Sequence, residues 1–291
     1  MRAELLAWLT EVWPDHDWRR AVLHKGCFHH VALTATAVAR VSCHGPQPRR
    51  LAREHANLTA ATALGLPVEH PRPLSGVVED SARSAMLVTP APGEHRPDLG
   101  WPSVAAEFAR LLDGLRAVDP ADVPRGIAAP RAWCGGQRWP DIVDDHIVAI
   151  LDPLEAALAR RIVQELLAAE AEASTGLVHG DFGPHNVLWD GERIRSLIDF
   201  DHMCLGDPAI DLASLISFYG ARAVEAVAEN GASIERALRH RACFPLQLGA
   251  AAVLVGDRRL FEHALTNFTS RLRAGTLHDP HGRSPLGWRH R

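Results

Sequence analysis

Asp181 is followed five residues later by Asn186, and a second aspartate, Asp199, closes the apolar segment beyond it. No other feature constrains the chain as much. Asp190-Gly191 lies between Val187-Leu-Trp189 and the run 194–198, a residue pair that tight hairpins demand, so two strands are predicted there. The hairpin returns Asn186 and Asp199 to one end, with Asp181 in the loop just before. Two hard oxygen ligands, completed by phosphate oxygens and water, suit Mg2+. Asp181 is then placed to accept a proton from a hydroxyl. Together they spell the chemistry of phosphoryl transfer: Asp181 catalytic, Asn186 and Asp199 metal ligands.

Three motifs, His179-Gly180-Asp181 with Asn186, Ile198-Asp199-Phe200, and Gly206-Asp207-Pro208 with Asp211-Leu-Ala, together resemble the aminoglycoside phosphotransferase family. These are relatives of protein kinases that phosphorylate small molecules. The resemblance implies an α+β, bilobal protein-kinase-like fold. A small β-rich N-lobe, residues 1–90, would bind nucleotide; a larger, mostly helical C-lobe, residues 91–291, would hold the catalytic loop, the magnesium ligands and the acceptor. It also implies Asp211 as a buried anchor for the catalytic loop. Asp181-Phe182-Gly183 spells the metal-binding triplet of protein kinases, but it overlaps the catalytic loop, and Asp199 is the better candidate for that role. Asp207 before Pro208 reads as a helix cap with proline at the first helical position. His179 reads as an orienting residue. The loop Lys25-Gly26-Cys27-Phe28-His29-His30 is also similar to that of actinomycete kinases acting on basic peptide antibiotics of the viomycin and capreomycin type.

The first third of the chain reads as strands at 21–24, 31–34, 37–42, 77–78 and 85–89, around a helix at 50–64 that stops at Gly65. After a proline-rich hinge at 90–93 the pattern turns helical: 103–118, 139–161, 161–173 and several helices from 209 to 274. The tail from Gly275, rich in Gly, Pro, His and Arg, is expected to be mobile.

Kinase-like enzymes grip nucleotide phosphates with a lysine on the third strand, paired with a helix glutamate. Here Arg40 occupies the lysine position and Glu54 fits the glutamate. The swap is not conservative, because guanidinium is longer, planar and bidentate. Lys25, the only lysine in the chain, and Gly26 lie in the first inter-strand loop and are candidates for the terminal phosphate. In the hinge Pro90 and Pro92 have no N–H, which leaves Ala91 or Gly93 to bind the base; ATP and GTP both remain open as phosphoryl donor.

Acceptor residues are less legible. Asp141, Asp144 and Asp145 share one helix face, which fits either a cationic ligand or plain solvation. Asp201, two residues beyond Asp199, borders the same cleft. Residues 97–274 carry more acids than bases, a balance that favours a cationic substrate and disfavours nucleic acid. No apolar run is long enough for a membrane, and the amphipathic segment from Met1 to Glu11 contains acids, unlike a signal peptide. Five scattered cysteines read as reduced thiols of a cytoplasmic protein. The expected function is phosphorylation of a hydroxyl on a small cationic antibiotic. A kinase of a metabolite alcohol (choline, homoserine or a sugar) is the alternative, and a nucleotide-binding pseudokinase the third.

Overall fold

A computed structural model describes residues 2–288. Met1 and residues 289–291, to which the expected N-terminal helix and tail also extended, lie outside the described residues. Helix α1 (Arg2–Val12) precedes β1 (Val22–Lys25), β2 (His29–Leu33) and β3 (Val38–Ser42); α2 (Pro48–Leu64), β4 (Val78–Glu79) and β5 (Ser84–Val88) follow. The five strands form an antiparallel sheet in the order β1-β2-β3-β5-β4.

Strand alternation gives this sheet two faces with different tasks. Ala32, Ala39, Val41, Ala85 and Leu87 point to one side and pack with Leu5 and Leu9 of α1 and with Trp18. Arg40 stands opposite Met86 in the register and so faces the other side, toward α2. Pro48 opens α2 and Gly65 closes it in a left-handed conformation, φ 61°, the start and stop the sequence encodes.

Next come α3 (Trp101–Arg116), α4 (Trp139–His146), α5 (Pro153–Ala171) and β6 (Gly176–Val178). The hairpin β7 (Val187–Asp190) and β8 (Arg193–Leu197) follows, then β9 (Cys204–Gly206), which pairs with β6. The chain ends in α6 (Ala209–Tyr219), α7 (Ala221–Val224), α8 (Gly231–Val255) and α9 (Arg258–Arg273). One apolar core runs from Leu51, Leu58 and Met86 through Phe108 to Phe182, Phe200 and Leu212. The small sheet and the loop that carries Asp181 therefore share a foundation. No helix among the described residues is long and apolar enough to cross a membrane.

Two expectations need correction. The single helix expected over 139–161 is broken: α4 ends at His146 and α5 begins at Pro153. Asp152 accepts hydrogen bonds from the N–H groups of Leu154 and Glu155, both at 3.0 Å, so Asp152-Pro153 is a cap and first-turn pair. The tail through Trp288 is not loose. Arg241 donates to the carbonyls of Thr276 (2.8 Å) and Leu277 (2.6 Å), Asp279 accepts from the N–H of Ala221 at 3.0 Å, and Leu277, Asp279 and Trp288 are buried.

Candidate active site

Helix α2 delivers three polar side chains, Arg50, Glu54 and Asn57, at intervals of four and three residues, so one buried stripe carries them all. Each grips a different part of the site. Arg50 pairs with Asp201, and its guanidinium lies 3.6 Å over the Phe28 ring. Glu54 stands 2.6 Å from Arg40. Asn57 donates to the carbonyls of Phe200 (2.7 Å) and Met203 (3.0 Å) and accepts from the N–H of Ala128 at 2.9 Å. The helix thus clamps the segment 199–203 from one side.

From β3, Arg40 reaches across to that segment. Its Nη2 donates to Asp199 Oδ1 at 2.9 Å and lies 3.1 Å from His29 Nδ1. Burial works against the Arg40 charge, but Glu54, Asp199 and Asp201 outweigh it and keep the group protonated. Burial would likewise raise the Asp199 carboxyl. Arg40, aided by the nearby histidines 202, 29 and 179, holds it well below the usual carboxylate range. Asp199 has a left-handed backbone, φ 65° and ψ 66°, a costly conformation for a residue with a Cβ. Its side chain still opens 41 % to the cleft.

The loop that carries Asp181 is held from beneath. Asp211, buried in the first turn of α6, accepts from the N–H of His179 (2.9 Å) and Gly180 (2.8 Å). Burial pushes its carboxyl up to about 7, against the pull of those two donors. His179 is buried with its pKa lowered to about 4, chiefly by desolvation. The neutral ring spans the site: Nε2 donates to the Ile198 carbonyl at 3.0 Å and Nδ1 accepts from the Asp181 N–H at 3.4 Å.

Asn186 Nδ2 donates both to the Asp181 carbonyl (2.8 Å) and to Asp181 Oδ2 (3.0 Å). His185 Nε2 lies 3.2 Å from the same Oδ2. The outcome is a division of atoms. Asp181 Oδ1 and Asn186 Oδ1 have no protein partner among the described residues; Asp181 lines the cleft, and Asn186 is bonded to Asp181 from behind. That cleft, about 450 Å³, is also lined by Gly26, Arg40, Asp199 and Asp201. No group of three or more His, Cys, Asp or Glu side chains among the described residues is placed to hold a metal alone. An amide oxygen and one carboxylate suit instead a hard ion whose shell is completed by phosphate and water.

The structure thus brings Asp181, Asn186, Asp199, Arg40, Glu54 and Gly26 together. Asp201 borders the cleft as expected; Arg50 pairs with its Oδ2, while its buried Oδ1 has no hydrogen-bond partner among the described residues. Lys25 ends β1 on the exposed surface, outside the cleft lining. Ala91 lies in the hinge, half-buried, its N–H without a protein partner among the described residues. The acidic stripe stands apart: Asp141, Asp144 and Asp145 are exposed, Asp144 pairs with Arg160 at 2.6 Å, and α4 turns Ile142 and Val143 inward instead. Solvation is the explanation the packing favours. Arg50, Asn57, Trp133 and Gln247 were not evident from sequence. A polar stripe on an otherwise apolar helix face was the only available signal, and it covers the first two alone.

Residues 27–244 match the model of a phosphotransferase enzyme family. The chain belongs to that family. Viomycin phosphotransferase of Streptomyces vinaceus is 29 % identical over 280 residues, covering 89 % of this chain and 96 % of that protein. Among solved structures, the GDP complex of aminoglycoside 2'-phosphotransferase-IIIa superposes with a TM-score of 0.73 at 16 % identity, over 92 % of this chain and 97 % of the other. A thermostable mutant of aminoglycoside phosphotransferase APH(4)-Ia, in ternary complex with AMP-PNP and hygromycin B, gives 0.63 at 19 % identity, over 94 % and 98 %. The likeness fixes the fold as protein-kinase-like, α+β, with the sheet region first and the helical region after it. The protein is a phosphotransferase.

Proposed function

We propose that this phosphotransferase moves the terminal phosphoryl group of ATP or GTP to a hydroxyl of a small cationic antibiotic, an aminoglycoside or a basic cyclic peptide, and so inactivates it. The observation that carries the reading is the division of atoms at Asp181. Its Oδ2 is occupied by Asn186 and His185, while Oδ1 is free to accept the acceptor's proton. As the acceptor oxygen forms its bond to phosphorus, the bond to the departing nucleoside diphosphate breaks and the proton passes to Asp181.

Asn186 and Asp199 would hold Mg2+, which neutralises phosphate charge when bound. Arg40 positions the phosphates and Glu54 positions Arg40. Gly26 and the N–H groups after it approach the terminal phosphate, and the Ala91 N–H is offered to the base. In this reading residues 1–90 serve the nucleotide and 91–291 the chemistry and the acceptor. GDP and AMP-PNP in the related structures support a nucleotide donor, and the extent of the match to viomycin phosphotransferase supports an antibiotic acceptor. Five free cysteines fit a reducing cytoplasm, where the nucleotide is found.

The test is magnesium-dependent transfer from ATP and GTP to a panel of aminoglycosides, basic peptide antibiotics, choline, homoserine and sugars, read by product mass with Asp181→Ala as control. A phosphorylated antibiotic is expected. A product from a metabolite alone would move the enzyme into metabolism, and nucleotide binding without turnover would make it a pseudokinase.

A further inference from the structure

Beyond Asp181 the cleft deepens into a chamber whose wall chemistry differs from that of its mouth. His240, Phe244 and Gln247 recur on α8 at intervals of four and three and so face it as one stripe. Trp133 stacks on His202, ring centroids 4.5 Å apart and planes 17° from parallel, and forms a second wall. Gln247 is only 3 % exposed, and its Nε2 has no hydrogen-bond partner among the described residues. A buried amide donor without an acceptor is rare in folded proteins, because desolvation is then uncompensated. A ligand oxygen in the chamber would complete it.

Charge around the chamber is already matched. Arg131 pairs with Glu170; His240 lies 3.0 Å from Asp207 and 3.6 Å from Glu170; Arg236 also reaches Asp207 at 3.0 Å. Arg50 holds Asp201. An ammonium group entering there would lose water and meet carboxylates that already have a cationic partner. Of the carboxylates that line the cleft, Asp199 and Asp201 are paired with arginines, and Asp181, at the mouth, is not.

We propose that this chamber, walled by Trp133, His202 and Phe244 and capped by Gln247, is the subsite that takes a flat, uncharged, carbonyl-bearing group of the acceptor, an amide plane, and that Gln247 and Trp133 thereby set acceptor specificity. The proposal rests on the phosphotransferase reading of the cleft. The acceptor lies with its amide plane inward on the aromatic wall, its carbonyl oxygen accepting from Gln247 Nε2, and its cationic parts outward near the mouth. The chamber thus favours peptide-type antibiotics over aminoglycosides, which carry hydroxyls and ammonium groups but no peptide backbone.

Viomycin, a peptide, and hygromycin B, an aminoglycoside without an amide, are the probes. Their affinities are measured by calorimetry on the full chain, alongside magnesium-dependent binding of AMP-PNP. Viomycin is expected to bind the wild type more tightly than hygromycin B. Gln247→Leu is expected to weaken viomycin about tenfold, the usual loss for one neutral hydrogen bond, with AMP-PNP affinity unchanged. Trp133→Leu is expected to weaken it similarly by removing the stacking surface. Gln247→Glu should lose viomycin and gain hygromycin B. Tighter binding of hygromycin B by the wild type, no viomycin binding, or unchanged viomycin affinity in thermally stable Gln247→Leu and Trp133→Leu proteins would each overturn the subsite. Loss of magnesium-dependent AMP-PNP binding in the wild type would instead overturn the nucleotide reading itself, which separates the two failures.

Discussion

Arg40 on β3 donates to Asp199 at 2.9 Å, across 159 positions of sequence, while its Nε stands 2.6 Å from Glu54. A guanidinium has donors enough to serve both carboxylates at once, whereas an ammonium is a single compact charge. The arginine therefore ties the small sheet, α2 and the end of the hairpin into one unit. It also supplies the charge that keeps Asp199 ionised in its strained backbone.

Arg40→Ala should leave Glu54 buried without its partner. Breaking a buried pair from one side costs about 3–5 kcal/mol, so the variant is expected to unfold at a markedly lower temperature. Arg40→Lys should keep the charge but serve only one carboxylate, with intermediate stability and about tenfold weaker nucleotide binding. Thermal unfolding and calorimetry on both variants check this. Equal stability of Arg40→Ala and wild type would exclude the tie.

Asp199→Asn removes the charge of the carboxylate proposed to hold the metal and nearly preserves its volume. Nucleotide affinity should then cease to depend on magnesium, and chelation should abolish wild-type transfer. Titrating AMP-PNP at several magnesium concentrations measures both effects. A variant as magnesium-dependent as the wild type would remove Asp199 from the ligand set.

Asp181→Asn keeps a group that can still hydrogen-bond to Asn186 but cannot accept a proton. Loss of a positioned base commonly costs about 10²- to 10⁴-fold in rate. A fall of that size in kcat with unchanged nucleotide affinity and thermal stability is expected. Retention of most of the rate would show that Oδ1 is not the base.

Much of this arrangement was legible because local rules and global fold agree. The Asp190-Gly191 turn determines where Asn186 and Asp199 meet, and the caps at Gly65 and Pro208 determine where α2 and α6 start or stop. Other parts were hidden for reasons that can be named. Asp152-Pro153 is as good a helix start as Asp207-Pro208, yet apolar periodicity runs through it and concealed the break. The tail is rich in residues typical of loops, but burial of Trp288 and capping by Asp279 depend on partners far away in sequence. The Trp133–His202 stack depends on a tertiary contact that no local spacing announces.

Gly180 has φ +84°, and a Cβ there would lie 2.6 Å from the His202 carbonyl oxygen. That neighbour is backbone and cannot swing aside. Gly180→Ala therefore combines a left-handed strain of about 1–2 kcal/mol with a clash that pushes His202 and the catalytic loop apart. Reduced thermal stability together with a raised KM for the acceptor is expected. A stability fall with every kinetic constant intact would confine Gly180 to a folding role.

Asp207 supplies the pH dependence most open to test. It accepts from the Ala209 N–H at 3.0 Å, and Arg236 and His240 each lie 3.0 Å from its other oxygen. Burial would raise its carboxyl, but His240, that N–H and Arg236 outweigh it and bring the pKa to about 2 from the ordinary 3.8. A depressed folded pKa stabilises the protein above the unfolded value and loses that contribution as pH falls through the folded one. The separation corresponds to about 2 kcal/mol. The stability difference between wild type and Asp207→Asn should therefore be full at pH 5 and shrink by about that amount between pH 4 and pH 2. Urea unfolding at each pH measures it. A difference constant across the range would mean that the carboxylate charge contributes nothing and that Asp207 acts through its cap geometry alone.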